Sequence, residues 1–179
     1  MYKRQVEPLA GRRFEIAIAQ RLDLRLRLPA GAGAWPILAR REGASERTGI
    51  VLATAGAEIR RIAGRAEDAL PPLGAGLERK LRAAAPLQAR PADRSIALDL
   101  TGGMAGYDWT LNGARYGAHR PLAVRAGERV EVTLRNRTGM SHPMHLHGHV
   151  FQVVAIDGGR IAGALRDTCL LYTSPSPRD

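Results

Sequence analysis

His142-Pro143-Met144-His145-Leu146-His147-Gly148-His149-Val150-Phe151-Gln152-Val153-Val154 is the stretch on which the reading of this chain turns. Its first eight residues hold four of the chain's 5 histidines. Neutral imidazole ligates copper, zinc, iron and nickel, so the residue type points to a metal without selecting one. Spacing adds more. Pro143 lacks an N–H donor and drives the residue before it out of the helical region, which favours extended backbone. On such a strand side chains alternate between faces, so His145, His147 and His149 point one way and His142, at odd separation from all three, points the other. His142 and His145 then stand roughly 10 Å apart along the strand, too far to share one ion and close enough for electron transfer between neighbouring sites. Gly148 lets other backbone or a bulky cofactor approach closely.

The surrounding sequence is patterned for strands. Residues 13–28 read as strands, with Leu22, Leu24, Leu26 and Leu28 alternating with Asp23, Arg25 and Arg27 as in a sheet with one buried and one wet face. Residues 35–39 and 49–54 supply further short apolar strands. Pro71, Pro72, Pro86 and Pro91 with Gly74 and Gly76 mark a linker, with one or two helical turns over residues 77–85. Strands resume at 95–100, 107–111 and 129–136, and 150–156 continues beyond the histidines. Asp157-Gly158-Gly159 makes a hairpin turn into 160–164. Tyr107 and Trp109 share a face and are read as sheet packing. Many short strands with glycine-rich turns predict an all-β chain of Greek-key sandwiches.

The histidine run followed by Val150-Phe151-Gln152-Val153-Val154 resembles the third histidine motif of the multicopper oxidases, the laccase-like enzymes, in their C-terminal cupredoxin domain. The resemblance implies that His142 binds the type 1 copper, His145 the type 2 copper and His147 one type 3 copper of the trinuclear cluster. His149 matches a position that is not usually a ligand and is read as a hydrogen-bonded histidine beside the site. His119, before Pro121, is read as a loop residue with no role. Ala19-Gln20-Arg21-Leu22-Asp23 and Arg47-Thr48-Gly49-Ile50-Val51-Leu52 are similar to the last part of the family's second cupredoxin domain. The implied architecture is two incomplete cupredoxin-like sandwiches, residues 6–63 and 95–168, joined by a Pro/Gly-rich linker at 64–94.

The implied activity is oxidation of a small-molecule or metal-ion electron donor, one electron at a time, coupled to reduction of dioxygen to water. Its cofactor is copper, four ions in the full-length enzyme, and the expected location is periplasmic or secreted. The family spreads its copper ligands over four motifs, of which this chain matches one, so the polypeptide alone is expected to lack oxidase activity and blue colour. A second reading is a redox-silent module whose H-x2-H-x-H-x-H run chelates copper, zinc or nickel. Zinc would ask for a closed tetrahedral site with cysteines or carboxylates nearby, and the affinity order favours copper at an imidazole site.

Residues 1–5 and 169–179 are read as translated sequencing-adaptor tails and set aside from fold reasoning. Written as TAT AAG AGA CAG, the codons of Tyr2 to Gln5 have a reverse complement that, shifted by one base, spells Cys, Leu, Leu and the start of Tyr, the order found from Cys169. Cys169, the only cysteine, is therefore not taken as a copper thiolate: the family's copper-binding cysteine lies in an H-C-H-x3-H motif, and no histidine follows Cys169. The formal charge is +10, and setting aside Lys3, Arg4, Arg178 and Asp179 leaves +8. The arginines are dispersed and aromatics make up only 4% of the chain, which argues against a nucleic-acid face. No apolar run reaches the length of a membrane span.

Overall fold

The computed structural model describes residues 5–173 and divides into two compact units, Leu22–Leu73 and the remainder. The expected tails at residues 1–4 and 174–179 lie outside the described residues. As the sequence pattern predicts, the described residues are almost entirely β or irregular, with one 3-10 turn, Glu78–Lys80, inside the stretch expected to hold a helical turn. No described helix is long and apolar enough to cross a membrane.

The Leu22–Leu73 unit is built on one antiparallel pair, β1 (Ala34–Arg40) and β2 (Arg47–Ala53), in continuous register from Ala34 opposite Ala53 to Arg40 opposite Arg47. Gly49 is dictated by contact: a Cβ there would stand 2.1 Å from the Ile37 carbonyl oxygen. The returning chain adds backbone bonds from Arg47 N to Gly64 O and from Ala66 N to Ser45 O. The expected strands over residues 13–28 do not form. Residues 17–20 make a turn, with Gln20 N donating to Ala17 O, and Leu22, Leu24, Leu26 and Leu28 are all exposed. Alternation calls for extended backbone and a face to cover. A strand exists only when a second segment supplies its hydrogen bonds, and no described segment does so here.

The other unit has a four-stranded sheet with β3 (Arg94–Gly103) at its centre. β4 (Asp108–Leu111) pairs with it antiparallel, β5 (Ala114–Arg115) pairs with β4, and β6 (Val130–Asn136) runs parallel to β3 from Arg94 opposite Val130 to Leu100 opposite Asn136. Asn112 and Gly113, with φ of 51° and 78°, supply the two left-handed residues of the β4–β5 turn. Tyr107, expected to pack, is exposed and has a positive φ, because it belongs to the turn entering β4; Trp109 is half-buried as expected.

Beyond β6 the chain forms a nested antiparallel arm. β7 (His142–His145) pairs with β12 (Thr168–Leu171), β8 (Phe151–Gln152) with β11 (Leu165–Arg166), and β9 (Ala155–Ile156) with β10 (Gly159–Arg160). The arm closes at Asp157 and Gly158, both at positive φ, in the turn the sequence predicts. Cys169, Leu170 and Leu171, set aside on sequence grounds, are part of β12.

Glu78 ties this arm to the 3-10 turn. Its two carboxylate oxygens accept from Arg166 Nε and Nη2 at 3.0 and 2.7 Å, and both side chains are largely covered. Removing one partner of a covered pair leaves the other charge uncompensated. Glu78→Ala is expected to destabilise this unit by roughly 3 kcal/mol in urea unfolding; an unshifted midpoint would mean that the pair does not hold the arm.

Candidate metal centre

The expected ribbon of alternating histidines is realised only in part. β7 ends at His145, and Leu146 N still donates to Asp167 O, but the chain then turns at His147 and Gly148, the glycine at φ 72°. The cause lies in the pairing: between the β7–β12 and β8–β11 ladders, residues 146–150 face the single residue Asp167. The excess is expelled as an outward excursion carrying His147 and His149, which are both exposed. The continuous strand predicted from the motif into residues 150–156 is thus interrupted.

His142 stays on the ladder, opposite Leu171, and is half-buried. Trp109 meets its ring edge-on with centroids 4.7 Å apart. Its Nε2 lies 2.7 Å from Thr138 Oγ1. That hydroxyl lies 2.8 Å from Asn136 Oδ1, while buried Asn136 spends its amide N–H groups on the carbonyls of Met140 and Tyr172. With its proton directed to Asn136 Oδ1 or the Met140 carbonyl, the Thr138 hydroxyl is free to accept from His142 Nε2–H, the tautomer that would leave the Nδ1 lone pair for a metal.

His145 is held the other way round. Its Nδ1 lies 2.9 Å from Asp167 O and 2.8 Å from Thr168 Oγ1. A backbone carbonyl can only accept, so Nδ1 carries the proton and Nε2 holds the lone pair. The rings of His145 and His147 are 4.8 Å apart, whereas His142, at odd separation on the same strand, faces its own neighbours. The structure therefore groups two of the three sequence-predicted ligands and sets the third apart. His149 is hydrogen-bonded beside the candidate ligands, its Nδ1 3.3 Å from the His147 carbonyl, but it is exposed rather than buried. His119 sits by exposed Tyr116, rings 6.1 Å apart.

Among the described residues no three His, Cys, Asp or Glu side chains close on one metal position, so this strand offers donors singly and in pairs. Cys169 lies opposite Met144, one residue along β12 from the threonine that touches His145, and so points to the other face. Burial, with Glu78 nearby, pushes its thiol up to about 11, which keeps it protonated at neutral pH. Asp167 has its carboxyl held below the usual range by the Arg21 guanidinium. Sequence reading named the histidines but not Asn136, Thr138, Asp167 or Thr168 as their supports.

Residues 89–177 match the family profile described as multicopper oxidase. The chain belongs to the multicopper oxidase family. It is 34% identical over 164 residues to multicopper oxidase MmcO of Mycobacterium tuberculosis, covering 91% of this chain and 32% of that protein. A 59-residue stretch, 33% of this chain, is 44% identical to copper resistance protein A of Escherichia coli and to its homolog in Pseudomonas syringae pv. tomato, covering 10% of each. The chain thus spans about a third of MmcO and a smaller share of the others. No solved structure matches it.

In this family member, burial lowers the pKa of His142 below 6.5, so the folded state favours the neutral ring. As pH falls, the unfolded chain binds its proton first, near 6.5, and folding loses stability from there down to the depressed folded value; the contribution is complete above 6.5. A histidine NMR titration should place the His142 midpoint below 6.5. His142→Gln should flatten the stability-versus-pH slope in that window, and a midpoint at or above the ordinary value would contradict the packing described.

Proposed function

We propose that this chain is part of an enzyme that oxidises a reducing substrate at a type 1 copper and reduces dioxygen to water at a trinuclear copper cluster. His142 serves the type 1 copper, His145 the type 2 copper and His147 one type 3 copper. The observation that carries this reading is that His142 and His145, at odd separation on one short strand, face different sides with a different ring nitrogen hydrogen-bonded in each, and that the turn beyond the strand brings the His147 ring to 4.8 Å from that of His145. Bound copper would supply one-electron redox chemistry at both places. The chain's own contribution is to keep His142 neutral in a half-covered position, to fix which nitrogen of each ring carries the proton, and to hold the spacing between the two donor sets through the β7 pleat.

The electron donor is a small molecule or metal ion, and the laccase-like enzyme works in the periplasm or outside the cell. Residues 6–63 and 95–168 are pieces of its second and C-terminal cupredoxin domains, 64–94 is the linker, and residues 1–5 and 169–179 are adaptor-derived. DNA flanking this locus in the source genome should encode H-C-H-x3-H downstream and two H-x-H motifs upstream. Flanking sequence without them would favour a copper-binding module, a reading supported by the exposure of His145, His147 and His149.

The 179-residue chain itself should bind copper without turning blue. Its single thiol shares the His142 face of the arm but is held protonated by burial, so no thiolate-to-copper absorption band should appear at neutral pH and no donor-dependent oxygen uptake should be measurable. A visible thiolate band in the copper-loaded chain would refute the assignment of its sites.

A further inference from the structure

The polar cluster beside His145 is built from residues far apart in sequence. Thr168 is 1% exposed. Its hydroxyl touches His145 Nδ1 at 2.8 Å and has two acceptors within reach, Asp167 Oδ1 at 3.2 Å and Ala19 O at 3.4 Å. Its carbonyl accepts from Gln20 Nε2 at 3.2 Å. Gln20 Oε1 in turn accepts from Ala17 N at 2.8 Å, which closes the 17–20 turn through the same side chain. Arg21 pairs with the carboxylate of Asp167, whose backbone oxygen is the second acceptor for His145. Ala19, in the middle of this segment, is held at φ 66°, a conformation an alanine adopts only when its surroundings impose it.

We propose that residues 19–21 form a positioning strap that, through Asp167 and Thr168, locks the His145 imidazole in the Nδ1-protonated tautomer and fixes the direction of its Nε2. The proposal deepens the copper reading above, and rests on His145 being a ligand. A threonine or serine hydroxyl at position 168 can accept the Nδ1 proton while donating onward. Valine fills nearly the same space but can do neither, so it leaves the ring on the Asp167 carbonyl alone. Gln20 and Arg21 act one step further out, by holding the Asp167–Thr168 backbone against the ring. Supports of this kind commonly change metal affinity about ten- to a hundredfold.

The test uses the full chain with 15N-labelled histidine and no metal, followed by titration with copper(II) alone. The metal-free chain should show His145 in the Nδ1–H form with that proton protected from exchange. Thr168→Ser should keep it. Thr168→Val should weaken the protection, with only the Asp167 carbonyl left as acceptor, while the His142 signals stay in place, and should weaken copper(II) binding about tenfold. Gln20→Ala, at a half-buried position outside β12, should give the same change to a smaller extent, and it decides the matter if Thr168→Val fails to fold. His145 found in the Nε2–H form, or Thr168→Val or a folded Gln20→Ala keeping both the parental protection and the parental copper affinity, would overturn the strap. His145→Ala tests the underlying reading separately: unchanged copper affinity there would remove His145 from the ligands whatever the tautomer data show.

Discussion

The pairing of β7 with β12 is the constraint on which the rest of the site depends. Four residue pairs, His142 with Leu171 through His145 with Thr168, set which side of the arm each imidazole faces and which backbone groups it meets. A slip by one residue would send every side chain of β7 to the opposite face and part His145 from Thr168. Two strands alone are marginal in water. This pair is reinforced at one end by the Asn136 carboxamide, bonded to Met140 and Tyr172, and beside it by the covered Glu78–Arg166 pair. The excursion at residues 146–150 follows from the same constraint, because once both flanking ladders are in register the surplus residues have nowhere to go but out.

What was legible in the sequence was local. Strands β1, β2, β3 and β6 announce themselves by β-branched and leucine-rich runs, and Asp157-Gly158 announces its hairpin because two successive residues at positive φ need that chemistry. The histidine motif is legible for the same reason, since its donors lie within eight residues. The leucine alternation of residues 22–28 misled, because a pattern specifies a face and not the partner that would hydrogen-bond with it. His147 and His149 were placed on one strand with His145 because the register of a distant partner cannot be read from the motif. Thr168 and Gln20 are separated by 148 positions, and nothing in either neighbourhood states that they meet.

The two donor sets differ in more than direction. A histidine offers a metal whichever nitrogen is not protonated, so a site is specified only when the other nitrogen has a committed partner. The Thr138 hydroxyl, free to turn its proton to Asn136, engages Nε2 of His142, and the Asp167 carbonyl commits Nδ1 of His145. Nδ1 adjoins the side-chain attachment and Nε2 lies at the far side of the ring, so the first ring would hold an ion close to its own backbone and the second would reach further out. Within one four-residue strand, alternation chooses the face and the committed hydrogen bond chooses the reach.

The exposure of His145 and His147 fits the copper reading proposed above. One strand cannot surround an ion: its same-side donors lie in a row, and two imidazoles from adjacent positions leave most of a coordination sphere unfilled. On the copper reading proposed above, the arm would present these rings outward, toward whatever supplies the remaining ligands, while the hydrogen bonds behind them carry the orientation. His142, packed on Trp109 and backed by Thr138, needs less from elsewhere to stay in place. The difference in burial between the rings thus separates a donor fixed largely by its own packing from a pair whose order depends on Thr168, Asp167 and the segment that braces them.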